Sequence, residues 1–267
     1  MMEWVFNSPD KANAFILARE GYDVWMGNNR GCKYSAYHKT LTTKDREFWD
    51  YYQEDMARKD LPAFIDFVLE TTGVETISYV GHSEGTTQMF LGGALMPEYF
   101  TPKINLAIML APVASTAHIT GPLRLAAEHL EAIKLSLVDT LHIYNVVSPM
   151  PGASEGLDVI CKIPLLTDVC KWIADVMINK DVMNVDRFEM AATNLPSGQS
   201  WRTFFYYGQM IVSGKYNLYD YGKKKNKEIY GQEDPMPVPI ENYHIPTAMM
   251  SGDLDQLAVP QDVEWIT

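Results

Sequence analysis

Cysteine, histidine and positive charge are all scarce in this chain of 267 residues. Three cysteines cannot make a disulfide-rich scaffold. Cys161 and Cys170 sit nine apart in a segment that reads as helix-rich, close enough to bridge locally. In a reducing compartment, all three cysteines would simply be small buried side chains. The net charge is −12, from 22 Lys and Arg against 34 Asp and Glu. No basic stripe is available to neutralise phosphates, which argues against a nucleic-acid partner. The one basic cluster, Lys223 to Lys225 with Lys227, runs into Glu228, Glu233 and Asp234 and reads as a solvated loop.

Long apolar runs are missing too. The longest, Ile104 to Ala114, contains Asn105 and Pro112 and is too short to span a bilayer. Met1-Met2-Glu3-Trp4 has no basic, apolar leader. Taken at face value this predicts a cytosolic protein, yet the start reads like the interior of a fold. No Asn-x-Ser/Thr acceptor with an allowed middle residue occurs, and no His/Cys/Asp cluster has metal-ligand spacing. Internal repeats and low-complexity segments are also absent. What remains is globular: 47% hydrophobic and 12% aromatic, long enough for one large domain or a domain with an inserted cap.

Strand-like and helix-like runs alternate through the first part. Ser8-Pro9-Asp10 opens a helix that Gly21 ends. Tyr22 to Gly27 reads as a strand and Asn28 to Gly31 as a turn. Phe48 to Thr71 reads as one amphipathic helix interrupted near Pro62. Thr76 to Val80 reads as a strand, Glu84 to Met96 as a helix, and Ile104 to Leu110 as a strand buried on both faces. This alternation predicts an α/β fold with a mostly parallel sheet flanked by helices. After Pro112 the alternation stops. Leu123 to Leu137 and Trp201 to Lys215 have helical character, and Phe188 to Pro196 is irregular. A core strand resumes at Ile245 to Gly252. The predicted organisation is a core over 1–116, a helical cap insertion over 117–243, and a return to the core over 244–267.

The chemistry concentrates at Gly81-His82-Ser83-Glu84-Gly85. A strand precedes this G-x-S-x-G and a helix follows, the context of a nucleophile elbow in an α/β-hydrolase. The sharp turn strains the serine backbone, and flanking residues without Cβ let the neighbouring chain approach. Ser83 is therefore the candidate nucleophile. His82 should point into the core behind the turn. Asp255 follows the carboxyl end of the last strand, where α/β sheets present catalytic groups, and is the candidate acid ahead of Asp253. The competing reading there is a turn that merely caps the next helix. The order for this fold is Ser, acid, His, but His244 precedes Asp255 and is the last histidine. The expected base therefore has no candidate here, and His118 is only a weak surrogate. Trp201, Phe204, Phe205, Tyr206 and Tyr207 read as core first and as lining for a lipid groove second.

Several stretches resemble the acid lipase family, which includes gastric and lysosomal acid lipases. They are Gly21-Tyr22-Asp23-Val24-Trp25-Met26-Gly27-Asn28-Asn29-Arg30-Gly31, Phe48-Trp49-Asp50, Asp60-Leu61-Pro62-Ala63, Gly81 through Gln88, and Leu110-Ala111-Pro112-Val113-Ala114. Pro196 to Ser200, Ser213-Gly214-Lys215 and Tyr219 to Gly222 are similar to the family's cap. The resemblance implies a secreted or lysosomal serine hydrolase of triacylglycerols or sterol esters that needs no cofactor and works at a lipid–water interface. It implies Ser83 as nucleophile, Asp255 as triad acid, the Glu84 backbone N–H in the oxyanion hole, a cap over an apolar acyl pocket, and a Cys161–Cys170 cap disulfide. It also implies first core strands with a His-Gly oxyanion loop, and a last strand with the triad His, which this chain lacks. The expectation is a chain truncated at both ends and nearly inactive by itself, the alternative being a non-catalytic lipid-binding relative. Glu84 stands where well-known members carry Gln.

Overall fold

The computed structural model describes residues 2–146, Asp168 and residues 197–267. The irregular stretch expected over 188–196 and the Cys161–Cys170 pairing lie outside these residues. The chain divides into two compact units, one built from 1–50 and 133–201, the other from 51–132 and 202–267.

In the first unit, α1 covers Asn13–Arg19. It starts later than the Pro9 signal predicts, because Lys11 and Ala12 both donate to the Ser8 carbonyl in a separate turn. Gly21, at φ +90°, follows its end. Tyr22 to Gly27 is not a strand: it runs without regular structure, and no strand pairs with it among the described residues. Trp49, fully buried, is held from both sides. Its indole N–H donates to the Thr43 carbonyl at 2.9 Å, and its own carbonyl accepts from Ser200.

The second unit holds the sheet. Its helical lead-in is α2 (Gln53–Asp55), a π turn at Met56–Asp60, then α3 (Leu61–Thr72), ended by Gly73 at φ +73°. The helix expected from Phe48 thus begins only at Gln53, where Tyr52 and Asp55 close a reciprocal cap. Pro62 does not break it. The ring removes one N–H from the ladder, and the widened turn just upstream takes up the mismatch.

Three parallel strands follow: β1 (Ile77–His82), β2 (Ile104–Leu110) and β3 (Thr247–Met250), in the order β1-β2-β3. Full burial in β2 falls on one face, because the register shift opposite Ile77 and Ser78 brings Ile104 into phase with Ala107 and Met109. Ile104, Ala107 and Met109 are inside, Leu106, Ile108 and Leu110 are half-buried, and Asn105 is exposed. The expected burial of both faces is therefore corrected to one face.

Against this sheet lies α4 (Glu84–Leu95), whose residues Thr86 to Ala94 are all buried. Further along the chain come α5 (Pro97–Phe100), α6 (Gly121–Ala127), α7 (Leu130–Lys134), α8 (Trp201–Ser213), α9 (Lys223–Tyr230) and α10 (Pro260–Ile266). The lysine cluster is therefore helical, not a loop. Asn226 explains why. Its buried side chain donates to Asp220 Oδ1 at 2.7 Å and to the Glu233 carbonyl at 2.9 Å, fastening the helix at both ends. Among the described residues, no helix is long and apolar enough to cross a membrane.

The close packing of α4 depends on residues without side chains. A Cβ on Gly93 would lie 2.5 Å from Tyr243 Cδ2 and 3.1 Å from Ile245 Cδ1. Tyr243 cannot retreat easily, since its ring packs on Phe90 at 5.4 Å and its hydroxyl meets Thr247 at 2.9 Å. Helix propensity alone would make Gly93→Ala stabilising by about 1 kcal/mol. Overpacking should win instead, and urea denaturation should show a net loss of about 1–3 kcal/mol.

Candidate active site

Ser83 is where the β1 ladder stops and α4 begins. Its φ of 49° and ψ of −111° put a residue with a Cβ in sparsely populated backbone space. Three contacts hold it there. The Ser83 N–H donates to the Leu110 carbonyl at 2.9 Å, and the Ser83 carbonyl accepts from the Thr86 N–H at 2.9 Å and the Thr86 hydroxyl at 2.5 Å. The glycines on either side let the chain turn this tightly. A Cβ on Gly81 would meet Tyr79 Cε1 at 2.7 Å and the Gly85 carbonyl carbon at 3.1 Å. Tyr79 fastens the same spot, donating from its hydroxyl to the Gly85 carbonyl at 2.9 Å.

The next residues anchor the turn to β2. Val113 donates its N–H to Thr86 Oγ1 at 2.8 Å, and Thr87 Oγ1 donates to the Val113 carbonyl at 2.7 Å. The two threonines grip one residue, Val113, through the peptide groups on either side of its Cα. Sequence reasoning named Thr86 and Thr87 only as helix formers. Their adjacency just after the elbow was the available signal.

His82 departs from expectation. It is exposed, not packed behind the turn. Side chains alternate along a strand, and the buried position falls on Gly81.

Asp255 comes into the same region through sheet register. His82 pairs with Leu110, and Leu110 with Met250, so β1 and β3 end level with one strand between them. At ordinary strand spacing the two ends are about 10 Å apart. Past β3, the Asp255 N–H donates to the Gly252 carbonyl at 3.1 Å. Its carboxylate Oδ1 accepts the N–H of Leu257 at 2.8 Å and of Ala258 at 2.9 Å. The turn is therefore organised by Asp255, while the exposed Asp253 lies before it. The half-buried Asp255 carboxyl is fixed in direction by backbone donors.

A second carboxylate was missed. Asp262, in the first turn of α10, is 2% exposed. It accepts from the Ser115 hydroxyl at 2.8 Å and the His118 N–H at 3.1 Å, and its Oδ1 meets His118 Nδ1 at 2.9 Å. His118 is thus tied to Asp262, and its role is to join the loop after β2 to α10. An acidic residue just after Pro260 signals a helix start, but nothing local in sequence pairs it with a residue 144 positions away.

The aromatic residues of α8 are mostly core. Trp201, Phe205 and Tyr206 are buried, Tyr207 is half-buried, and Phe204 is exposed. Tyr207 packs with Ala111 against Val113, Ala258 and Val263. A groove of about 520 Å³ between the α6–α7 turn and α8 is lined by Leu130, Met210 and Leu218 among others and includes neither Ser83 nor Asp255. Among the described residues, no group of three His, Cys, Asp or Glu side chains is placed to hold a metal ion.

Comparison with known proteins agrees with this geometry. The model of the alpha/beta hydrolase fold family matches residues 9–121. Human lipase member M is 34% identical over 276 residues, covering 98% of this chain and 62% of the relative. Human lysosomal acid lipase/cholesteryl ester hydrolase is 34% identical over 264 residues, covering 97% and 65%. Mouse gastric triacylglycerol lipase is 34% identical over 264 residues, covering 97% and 66%. The chain spans just under two thirds of the length of these relatives. The strand–Ser83–helix turn, the parallel sheet and these identities along nearly the whole chain make it a member of the acid lipase family of α/β hydrolases.

Proposed function

We propose that the full-length protein is a serine hydrolase of lipid carboxylic esters, with Ser83 as the nucleophile. The observation that carries the reading is the strained Ser83 backbone at the end of β1, level with the strand end that leads to Asp255. Strain of this kind is retained where it presents a reactive side chain.

In this mechanism, a histidine takes the Ser83 hydroxyl proton as Oγ attacks the ester carbonyl. The charge that develops on the carbonyl oxygen is met by the Glu84 backbone N–H, the first of α4, where the helix dipole favours negative charge. The tetrahedral intermediate collapses, the C–O bond breaks, and the histidine returns its proton to the leaving alcohol. Water, deprotonated by the same histidine, then releases the fatty acid. With Asp255 Oδ1 held by two backbone N–H groups, Oδ2 is the oxygen that would accept the imidazole N–H. The chain order Ser, Asp, His assigns the base to a histidine that follows Asp255 in the full-length protein.

The names of the relatives support lipid esters, either triacylglycerol or cholesteryl ester, and a lysosomal or secreted location. Burying acyl CH₂ groups, at about 0.8 kcal/mol each, would drive such substrates from a lipid–water interface into the site. The reading invokes no cofactor or metal ion.

The test is release of fatty acid from emulsified triolein and from cholesteryl oleate by the full-length protein. Ser83→Ala should reduce kcat by at least about 10³-fold. Turnover that survives this substitution sinks the assignment of Ser83, and a wild-type protein that binds these lipids without turnover is a non-catalytic relative. Ser83→Gly should be equally inactive yet more stable than wild type. Relief of about 1–3 kcal/mol of backbone strain outweighs the roughly 0.5–1 kcal/mol of chain entropy that glycine adds, and a raised Tm would report it.

A further inference from the structure

Helix α9 carries a concentration of charge that its own stability opposes. Lys223, Lys224, Lys225 and Lys227 fall within five residues of a chain whose net charge is −12. All four are exposed. Three of them stand in the first turn, which holds no acidic residue. That is where the helix dipole penalises positive charge, and neighbouring ammonium groups repel one another as well. The helix bears this because it is fastened from inside. Buried Asn226 accepts the Tyr221 N–H at 2.9 Å and donates to Asp220 Oδ1 and the Glu233 carbonyl, and Gly231 closes the far end in the left-handed region. A local rule broken on a well-anchored element is a sign of function.

Little inside the molecule answers this charge. Lys223 Nζ is 3.8 Å from Glu233 Oε2 in an exposed pair, and Lys225 Nζ lies 5.2 Å from the centroid of the Tyr221 ring. Lys224 and Lys227 make no ion pair among the described residues. With Asn226 turned inward, the helical repeat sets three rows on the remaining surface: Lys223 with Lys227, Lys224 with Glu228, and Lys225 with Ile229. Ile229 is 49% exposed. Tyr221 and Tyr230, both half-buried, bracket the helix with ring centroids 6.1 Å apart. The first turn borders a shallow basin of about 450 Å³ lined by Tyr221, Gly222, the three leading lysines and Glu228. Lysines, an exposed branched apolar side chain and tyrosines together are the composition of a helix that lies on lipid. A free phosphate or a nucleic acid would leave Ile229 unanswered. The acidic remainder of the chain is no obstacle, because charges more than about 8 Å away are largely screened at physiological salt.

We propose that the exposed face of α9 is a docking surface for anionic lipid, with the lysines meeting negative headgroups and Ile229 entering the acyl boundary. The purpose of such docking rests on the ester-hydrolase reading, since ionised fatty acid released at an interface makes that interface negative and so strengthens the hold. The docking itself does not rest on it.

The experiment is co-sedimentation of the full-length protein with phosphatidylcholine vesicles, made with and without phosphatidylserine. Ser83→Ala is carried throughout, so that no turnover alters the lipid. At about 0.15 M salt the protein should prefer the phosphatidylserine vesicles, and near 1 M, where the Debye length falls to about 3 Å, the preference should vanish. Lys224→Gln combined with Lys227→Gln should weaken binding to the anionic vesicles by about 25-fold, at about fivefold per lysine. Lys224→Arg with Lys227→Arg should restore it, which a loss through misfolding would not allow. Glu228→Gln, on the same surface, should tighten it. Equal binding to both kinds of vesicle would overturn the proposal, and so would a preference that survives the loss of both lysines. Binding carried by an acidic protein partner instead would appear as the first of these results. If the protein without Ser83→Ala hydrolyses no ester, the functional reading fails and the vesicle result is judged by itself.

Discussion

The approach of Gly81 to Gly85 beneath the Tyr79 ring is the constraint on which the site depends. A strand must hand over to a helix within one residue, and the two must leave at a sharp angle. That brings the backbone of Gly85 to where a Cβ on residue 81 would lie, at 3.1 Å from the carbonyl carbon. With the approach in place, Ser83 has no relaxed conformation available and sits at φ 49°. Tyr79 makes the arrangement specific, because its hydroxyl holds the Gly85 carbonyl from the strand side. The strain at Ser83 is sustained by these contacts and by the Thr86–Thr87 grip on Val113. None of them involves a substrate, so the serine is presented before any ligand arrives.

The second requirement is that the acid reach the same edge, and here the sheet supplies what local sequence cannot. Asp255 is 172 residues from Ser83 in sequence, yet the parallel register β1-β2-β3 ends the strands that lead to both at one level. Parallel pairing does this by its nature. Every strand points the same way, so every carboxyl end contributes to one rim.

How much of this was readable from the chain follows the range of the interactions. The strand, elbow and helix from Ile77 to Leu95, and the strand from Ile104 to Leu110, were legible because periodicity and glycine placement are local. The place of Asp255 just past a strand end was legible too. Tyr22 to Gly27 has the composition of a strand, but composition does not provide a ladder partner. The lysine-rich run was misread because the tie that makes it helical is a buried Asn226 reaching Asp220 and Glu233. His82 was misread by one step of strand alternation. The Asp262–Ser115–His118 cluster and the Thr87–Tyr207 pair were invisible for one reason. Each joins residues far apart in sequence through side chains that carry no motif.

The distribution of negative charge around the elbow sets a problem that any esterase of this kind must solve. The acid of a triad has to be ionised and near the serine, whereas the oxyanion hole has to be free of negative charge. Two carboxylates lie in this region, and they are restrained differently. Asp255 is pinned through Oδ1 by two backbone N–H groups, which fix its direction. Glu84 belongs to the residue whose backbone would donate to the oxyanion, so its side chain cannot be removed from the neighbourhood. It can only be turned. A carboxylate at the first residue of a helix is favourable for the helix dipole wherever the side chain points. Direction is therefore decided by side-chain partners, and Glu84 Oε1 is buried. Unit charges about 4 Å apart interact by roughly 4 kcal/mol even at the moderate effective dielectric of a protein surface. A Glu84 carboxylate facing the hole would cancel much of what an oxyanion donor contributes, about 2.7–4 kcal/mol. For such an esterase, turning that charge away from the hole is as much a condition of catalysis as aiming the N–H outward.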